Sequence, residues 1–198
     1  YEFGGFQLSL VPGFTLVEAG SDLINASVGI VGSKVNNLYG IQYSNIINIG
    51  EGKIVGAQLS NVCNITHGKH LGTQISGVFN IDEIMSGPQV AGVFNIASYI
   101  SGPQMAGVFN IAKRIDGPQI STVFNYAKTV NGLQISGLGN FAGTVNGPQI
   151  SGLINSAKVV NGPQIGLINI ADENNGITFG LLNFIGNGLL DFATAWNS

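Results

Sequence analysis

Three groups of side chains could in principle do chemistry. Cys63, His67 and His70 form C-x3-H-x2-H, a spacing that offers a thiolate and two imidazoles to a metal ion. Asp82-Glu83 and Asp172-Glu173 are adjacent acids of the kind used for general acid–base work. Serines recur at Ser60, Ser76, Ser121, Ser136 and Ser151 as potential nucleophiles. None of the three reads as a site. The metal set stops at three ligands with no fourth nearby. Neighbouring residues on a strand point to opposite faces, so neither acid pair is a dyad, and both read as solvated loop charges. A serine nucleophile needs a positioned base and an oxyanion hole, and both histidines are remote from most of these serines. The glycines are not followed by Lys-Ser or Lys-Thr in a strand–loop–helix setting, so no phosphate loop is read. An ice-binding face would require a regular threonine ladder, but Thr66, Thr73, Thr122, Thr129, Thr144 and Thr178 fall at different places in the pattern. The expectation is a protein without catalytic residues, metal or cofactor.

The element that positions all of these residues is a tandem repeat. Gly102–Asp116 reads GPQMAGVFNIAKRID, and a unit of 15 residues recurs without slippage from Gly72 to Gly162. Counting Gly102 as column 1, column 3 is glutamine: Gln42, Gln58, Gln74, Gln89, Gln104, Gln119, Gln134, Gln149 and Gln164. Column 9 is asparagine: Asn48, Asn64, Asn80, Asn95, Asn110, Asn125, Asn140, Asn155 and, one residue early, Asn169. Columns 4, 7 and 8 are apolar, column 6 is mostly glycine, and a last apolar column runs through Ile100, Ile115, Val130, Val145 and Val160. Cys63 falls in column 8, where Phe79, Phe94 and Phe109 stand, and is therefore expected in the core. The serines are a small-residue column.

A unit this short is too small for a helix pair, and glycine with Val, Ile and Phe disfavours helix. It is also too short for a transmembrane hairpin, which needs roughly 9–11 residues per strand. It suits one coil of an all-β, single-domain parallel β-solenoid, with each strand pairing to its equivalents above and below. Identical residues then stack at about 4.8 Å, and buried amides satisfy one another along the axis. The Gly-Pro pair suits a turn. Stacking also accounts for the charge: only 9% of residues are charged, because a charged column would set like charges about 4.8 Å apart. Lys113, Arg114, Lys128, Lys158 and Asp116 fall in the last third of the repeat.

The sequence divides into an N-terminal strand or cap at 1–22, repeats over 23–188 and a tail or cap at 189–198. Within the first piece FQLSLV alternates like a strand, and Pro12-Gly13 marks a turn. Copies at Gly40 and Gly56 run 16 residues, the extra one assigned to loops around Glu51–Lys53 and His67–His70. About ten coils follow, a rod of roughly 48 Å. Phe192 and Trp196 are candidates to fold over the last coil. Net charge is −3, and no basic stripe with interleaved aromatics recommends nucleic acid. No apolar run is long enough for a spanning helix. A chain that opens at Tyr1 rather than Met is read as processed and exported. One cysteine allows no internal disulfide.

The repeat of the form G-x-Q-[IVF]-[SA]-G-[VL]-x-N-x-A resembles the surface repeat-containing proteins of the Gram-negative bacterial envelope. FQLSLVPGF resembles that family's opening strand, and GPQIGLINIADENNGITFGLLNFIGNG, residues 162–188, its closing segment. The resemblance implies export to the periplasm or outer-membrane surface and carries no established activity or functional residues. A weaker likeness to curlin, the curli amyloid subunit, rests on Gln104, Gly107, Asn110 and Ala112. The functional expectation is a non-enzymatic interaction or structural protein docking as a subunit or plug on an outer-membrane protein or complex. The alternative is a self-assembling filament or free cell-surface repeat protein. The breaks in regularity at 1–22, 51–54, 67–71 and 186–198 are the expected contact regions.

Overall fold

A computed structural model describes residues 5–19, 23–186 and 191–192. Trp196 and most of the proposed tail, and the outer parts of the N-terminal piece, lie outside the described residues. The described chain is all-β, and its parallel strands stack as a β-solenoid of about 12 turns. The repeats alone count about ten. The difference arises at the N-terminus, where β1 (Gly5–Val11) is itself a rung. β1 pairs in parallel with β3 (Leu23–Gly29), so Gln7 faces Ser27, which in turn faces Gln42. β2 (Phe14–Ala19) folds back antiparallel on β1 through a turn at Gly13, whose φ of 82° suits glycine.

One coil explains the rest. Gln104–Ala106 is a short strand that pairs with Gln89–Ala91 and with Gln119–Ser121. The chain turns at Gly107-Val108, and the next strand, Phe109–Ile115, pairs with Phe94–Ser101 and Phe124–Val130. Alternation along this strand slips at Lys113 and Arg114, which both face out between buried Ala112 and Ile115. The strand therefore bends there, and Asp116–Pro118 closes the coil. The section has three sides: columns 2–5, columns 8–11, and columns 13–15. At the corners the backbone stays paired between coils, as in Val108 N–H to the Val93 carbonyl at 2.9 Å. Glycine predominates at the first corner, where a Cβ on Gly107 would sit 2.1 Å from the Gly92 carbonyl oxygen, and Asn45, Asn61 and Thr122 are its other occupants.

The interior is divided lengthwise. Columns 3, 5 and 9 bring in Gln, Ser and Asn. Columns 11 and 14 bring in an apolar strip that runs through Ala97, Ala112 and Ala127 beside Met85, Ile100, Ile115 and Val130.

Candidate functional surface

The amide ladders form as the periodicity demands. Gln104 Nε2 donates to Gln89 Oε1, Gln119 to Gln104, Gln134 to Gln119 and Gln149 to Gln134, at 2.7 to 2.9 Å. The asparagine ladder runs the other way: Asn80 Nδ2 donates to Asn95 Oδ1, Asn95 to Asn110, Asn110 to Asn125, Asn125 to Asn140 and Asn140 to Asn155, at 2.9 to 3.0 Å. The two rows of amide dipoles thus oppose each other along the rod. Each asparagine also ties the corner down; Asn110 Nδ2 reaches the Ile120 carbonyl at 2.8 Å. A third, exposed ladder stands in column 15, where Asn146 donates to Asn131, Asn161 to Asn146 and Asn175 to Asn161. Sequence reasoning missed it, although Asn131, Asn146 and Asn161 recur at the same period.

Apart from His70 and Asp82, the potentially reactive residues do not converge. Cys63 is buried between Ile47 and Phe79 in the ladder, and burial pushes its thiol pKa up. Its role is packing. His67 is exposed, with Nδ1 3.2 Å from Glu51 Oε2; Lys34 lies 2.9 Å from Glu51 Oε1 and is the main cause of that carboxyl's lowered pKa. Among the described residues no group of three His, Cys, Asp or Glu is arranged to hold a metal ion. The column 5 serines face inward and are buried, away from either histidine.

Two expectations are corrected. The segment read as a loop at 67–71 belongs to one strand, Cys63–Ser76, in which His70 sits fully buried in column 14 between Ile54 and Met85. Asp82 is not a solvated loop acid; it occupies column 11, opposite Ala97 and Thr66, and is buried. The two meet in the core, His70 Nδ1 to Asp82 Oδ2 at 3.3 Å, while His70 Nε2 faces the Gly56 carbonyl at 3.2 Å. Burial raises the Asp82 pKa, and the His70 ring opposes that shift. Glu83, its neighbour, faces solvent. Each half of the pair compensates the other's burial, which is a structural arrangement.

What the coil presents outward is more informative. Column 4 faces out through Tyr43, Ile75, Met105, Ile120, Ile165 and Phe179, left 37 to 53% exposed. Column 2 is mostly proline. Column 7, on the corner, ends in Leu138, Leu153, Leu167 and Leu181, 43 to 59% exposed. Columns 8 and 10 share the second side. Phe79, Phe94, Phe109 and Phe124 stack face to face at 5.0 to 5.1 Å. The Phe141 ring covers the gap at Gly139 where the stack breaks. Column 10 carries Ile65, Ile81, Ile96, Ile111, Tyr126, Phe141, Ile170 and Phe184. From Asn37 onward these columns contain no charged residue. Charge is gathered on the third side and its corner: Glu83, Lys113, Arg114, Asp116, Lys128, Lys158, Asp172 and Glu173. Lys34, in column 10 of an early rung, is the exception and is paired to Glu51. Among the described residues no helix is long and apolar enough to cross a membrane. Comparison with family models, curated proteins and solved structures returned no match to this chain.

Proposed function

We propose that this chain is a non-enzymatic docking rod of the bacterial envelope, exported to the periplasm or outer-membrane surface and acting as a subunit on an outer-membrane protein or complex. The observation that supports the reading is the two-sided exterior. An uncharged surface spanning two of three sides leaves large apolar side chains exposed on successive coils, whereas the largest apolar patch of an isolated soluble monomer is ordinarily no more than roughly 600 Å2. Such a surface is covered in the working state. The placement in the envelope rests on the repeat's resemblance to surface repeat-containing proteins.

End-to-end growth into a filament is less favoured. β2 lies antiparallel on the first rung, and Asp191–Phe192 lies antiparallel on Leu182–Asn183, so one side of each end is capped, while among the described residues Gly32–Val35 and Thr178–Phe179 each keep one strand partner. The test is extraction of the tagged protein from its own membranes in mild detergent, with co-purifying chains identified and counted. A stoichiometric outer-membrane protein is expected. Recovery of the chain alone as a ladder of self-assemblies would replace this reading with the filament.

A further inference from the structure

We propose that the uncharged two-sided surface is a lipid-contacting surface: the rod lies along a bilayer leaflet with columns 2, 4, 7, 8 and 10 sunk among the acyl chains. This rests on the envelope placement proposed above and names what covers the apolar side. Protein partners are left to the third side and the rod's ends.

Three observations separate lipid from a protein cover. First, the surface offers almost nothing to hydrogen-bond. Protein interfaces carry about one hydrogen bond per 100–200 Å2. Here the outward side chains are mainly Ile, Val, Leu, Phe, Met and Pro, with Tyr43, Thr73, Tyr126 and Ser156 as the polar positions from Asn37 onward and Asn45, Asn61 and Thr122 on the corner between the two sides. Second, the backbone beneath it is already paired. Strand and corner N–H groups bond to the adjoining coils, as Gly107 N–H does to the Ala91 carbonyl, and proline in column 2 has no N–H to strand. A closed hydrogen-bond ladder is what immersion in hydrocarbon demands of a β structure. Third, the border is chemically graded. Beyond column 10 the chain bends at column 12, and there Lys113, Lys128 and Lys158 project with Arg114 beside them. Tyr126 is 48% exposed next to this row, and Gly143 opens a cleft between Lys128 and Lys158. Lysines whose stems lie on apolar surface and whose heads reach phosphate, with an aromatic at the same level, are the border of an interfacial amphipathic element. Glu83 and Asp172 occupy the same column nearer the two ends, which confines the cationic border to the middle rungs. The opposite border is the asparagine ladder of Asn131, Asn146 and Asn161, which ends on the Asp116 carboxylate.

The rod is far longer than a leaflet is deep, so it lies in the membrane plane rather than spanning it. Binding is dominated by apolar contact and modulated by the lysines.

The experiment is flotation of the purified 198-residue chain with unilamellar vesicles of mixed phosphatidylethanolamine and phosphatidylglycerol. The protein is expected to float with the vesicles and to remain bound in high salt. A double variant, Ile75→Glu with Met105→Glu, two rungs apart in the same column, should lose tenfold or more in partition. Ile84→Glu, at a 41% exposed position in column 13 of the third side, should leave partition within twofold. Because both substituted positions are exposed, circular dichroism should report an unchanged fold. As a second readout, Tyr126→Trp should be quenched by lipids brominated on their acyl chains. Three outcomes overturn the proposal: no flotation by a folded, monodisperse chain; equal loss for Ile84→Glu and the double variant; or a stable dimer that the double variant splits, which would assign the surface to a second copy. If flotation fails while an outer-membrane protein still co-purifies, the lipid assignment falls and the docking reading stands. Flotation without any protein partner gives the reverse.

Discussion

The buried His70–Asp82 pair gives the sharpest quantitative test, because each residue interrupts a column whose usual occupant is known. From Leu38 to Val160 column 14 otherwise carries Leu, Ile, Met and Val, and column 11 carries alanine from Ala97 to Ala171. His70→Ile therefore restores the column but leaves the Asp82 carboxyl sealed in the core without its only ion-pair partner, a loss of about 3–5 kcal/mol. Asp82→Ala leaves His70 Nδ1 buried and unpaired, a loss of about 1–3 kcal/mol. The double variant removes both polar groups and rebuilds the regular solenoid, and its stability should match or exceed wild type, by up to about 4 kcal/mol. The coupling energy in the cycle is then at least about 4 kcal/mol. Urea unfolding followed by circular dichroism supplies the four values, with the slopes checked for equality because long repeat arrays can lose two-state behaviour. The pH dependence has a definite sign. Burial raises the Asp82 pKa above its ordinary 3.8, so below that value the acid is protonated in folded and unfolded chains alike. As pH rises the unfolded chain releases the proton first, and stability falls until the folded pKa is passed, by about 1.4 kcal/mol per unit of pKa displacement. His70 is what restrains that displacement. His70→Ile should therefore lie nearest wild type near pH 4 and fall furthest below it near pH 7. A double variant destabilised by the sum of the singles would refute the argument.

Further outcomes follow from the ladders and the packing between coils. Asn110→Leu should destabilise by about 1–3 kcal/mol, since it takes the acceptor from the Asn95 side-chain N–H and the side-chain donor from the Ile120 carbonyl in a fully buried column, measured by the shift in urea midpoint. Asn131→Ala, in the exposed ladder, should change stability by no more than about 0.5 kcal/mol in the same assay. Gly102→Ala should cost about 3 kcal/mol or prevent folding, because the new methyl would lie 2.3 Å from the Gly87 carbonyl oxygen and the coils must part to admit it. Expression yield and thermal melting would register this change.

The fold was legible because the 15-residue period places identical residues on one line, and stacking is the only arrangement that satisfies a buried amide in every coil. Gln7 was not legible as part of that line. The antiparallel strand Phe14–Ala19 is inserted between the first rung and the next, so the distance from Gln7 to Ser27 departs from the period while the register does not. Asp82 and His70 were misassigned because each was read against its neighbours, Glu83 and Lys69, where acids and bases cluster as loops do. Read by column, Asp82 lies one period before Ala97 and His70 one period before Met85, both inward positions. The outward apolar columns were visible as apolar but not as outward. Only the coil's bend at Lys113-Arg114 fixes which parity faces the solvent on each side.

That parity carries the functional argument. On the side bearing Lys113 and Arg114 the chain behaves as a soluble protein does, with Ala112 and Ile115 inside and charge outside. On the other two sides the polarity is inverted: Gln104 and Asn110 are buried, while Met105, Phe109 and Ile111 face out. Hydrophobic burial on folding does not account for an apolar residue held outside an amide. What stabilises those two sides is the ladder of amide and backbone hydrogen bonds, which is indifferent to the outward residue so long as it suits a strand. A solenoid held together this way leaves its exterior free to serve something else. An exterior kept apolar over the full run of coils, and flanked by lysines at its middle, is matched to a hydrocarbon surroundings with an anionic margin rather than to water.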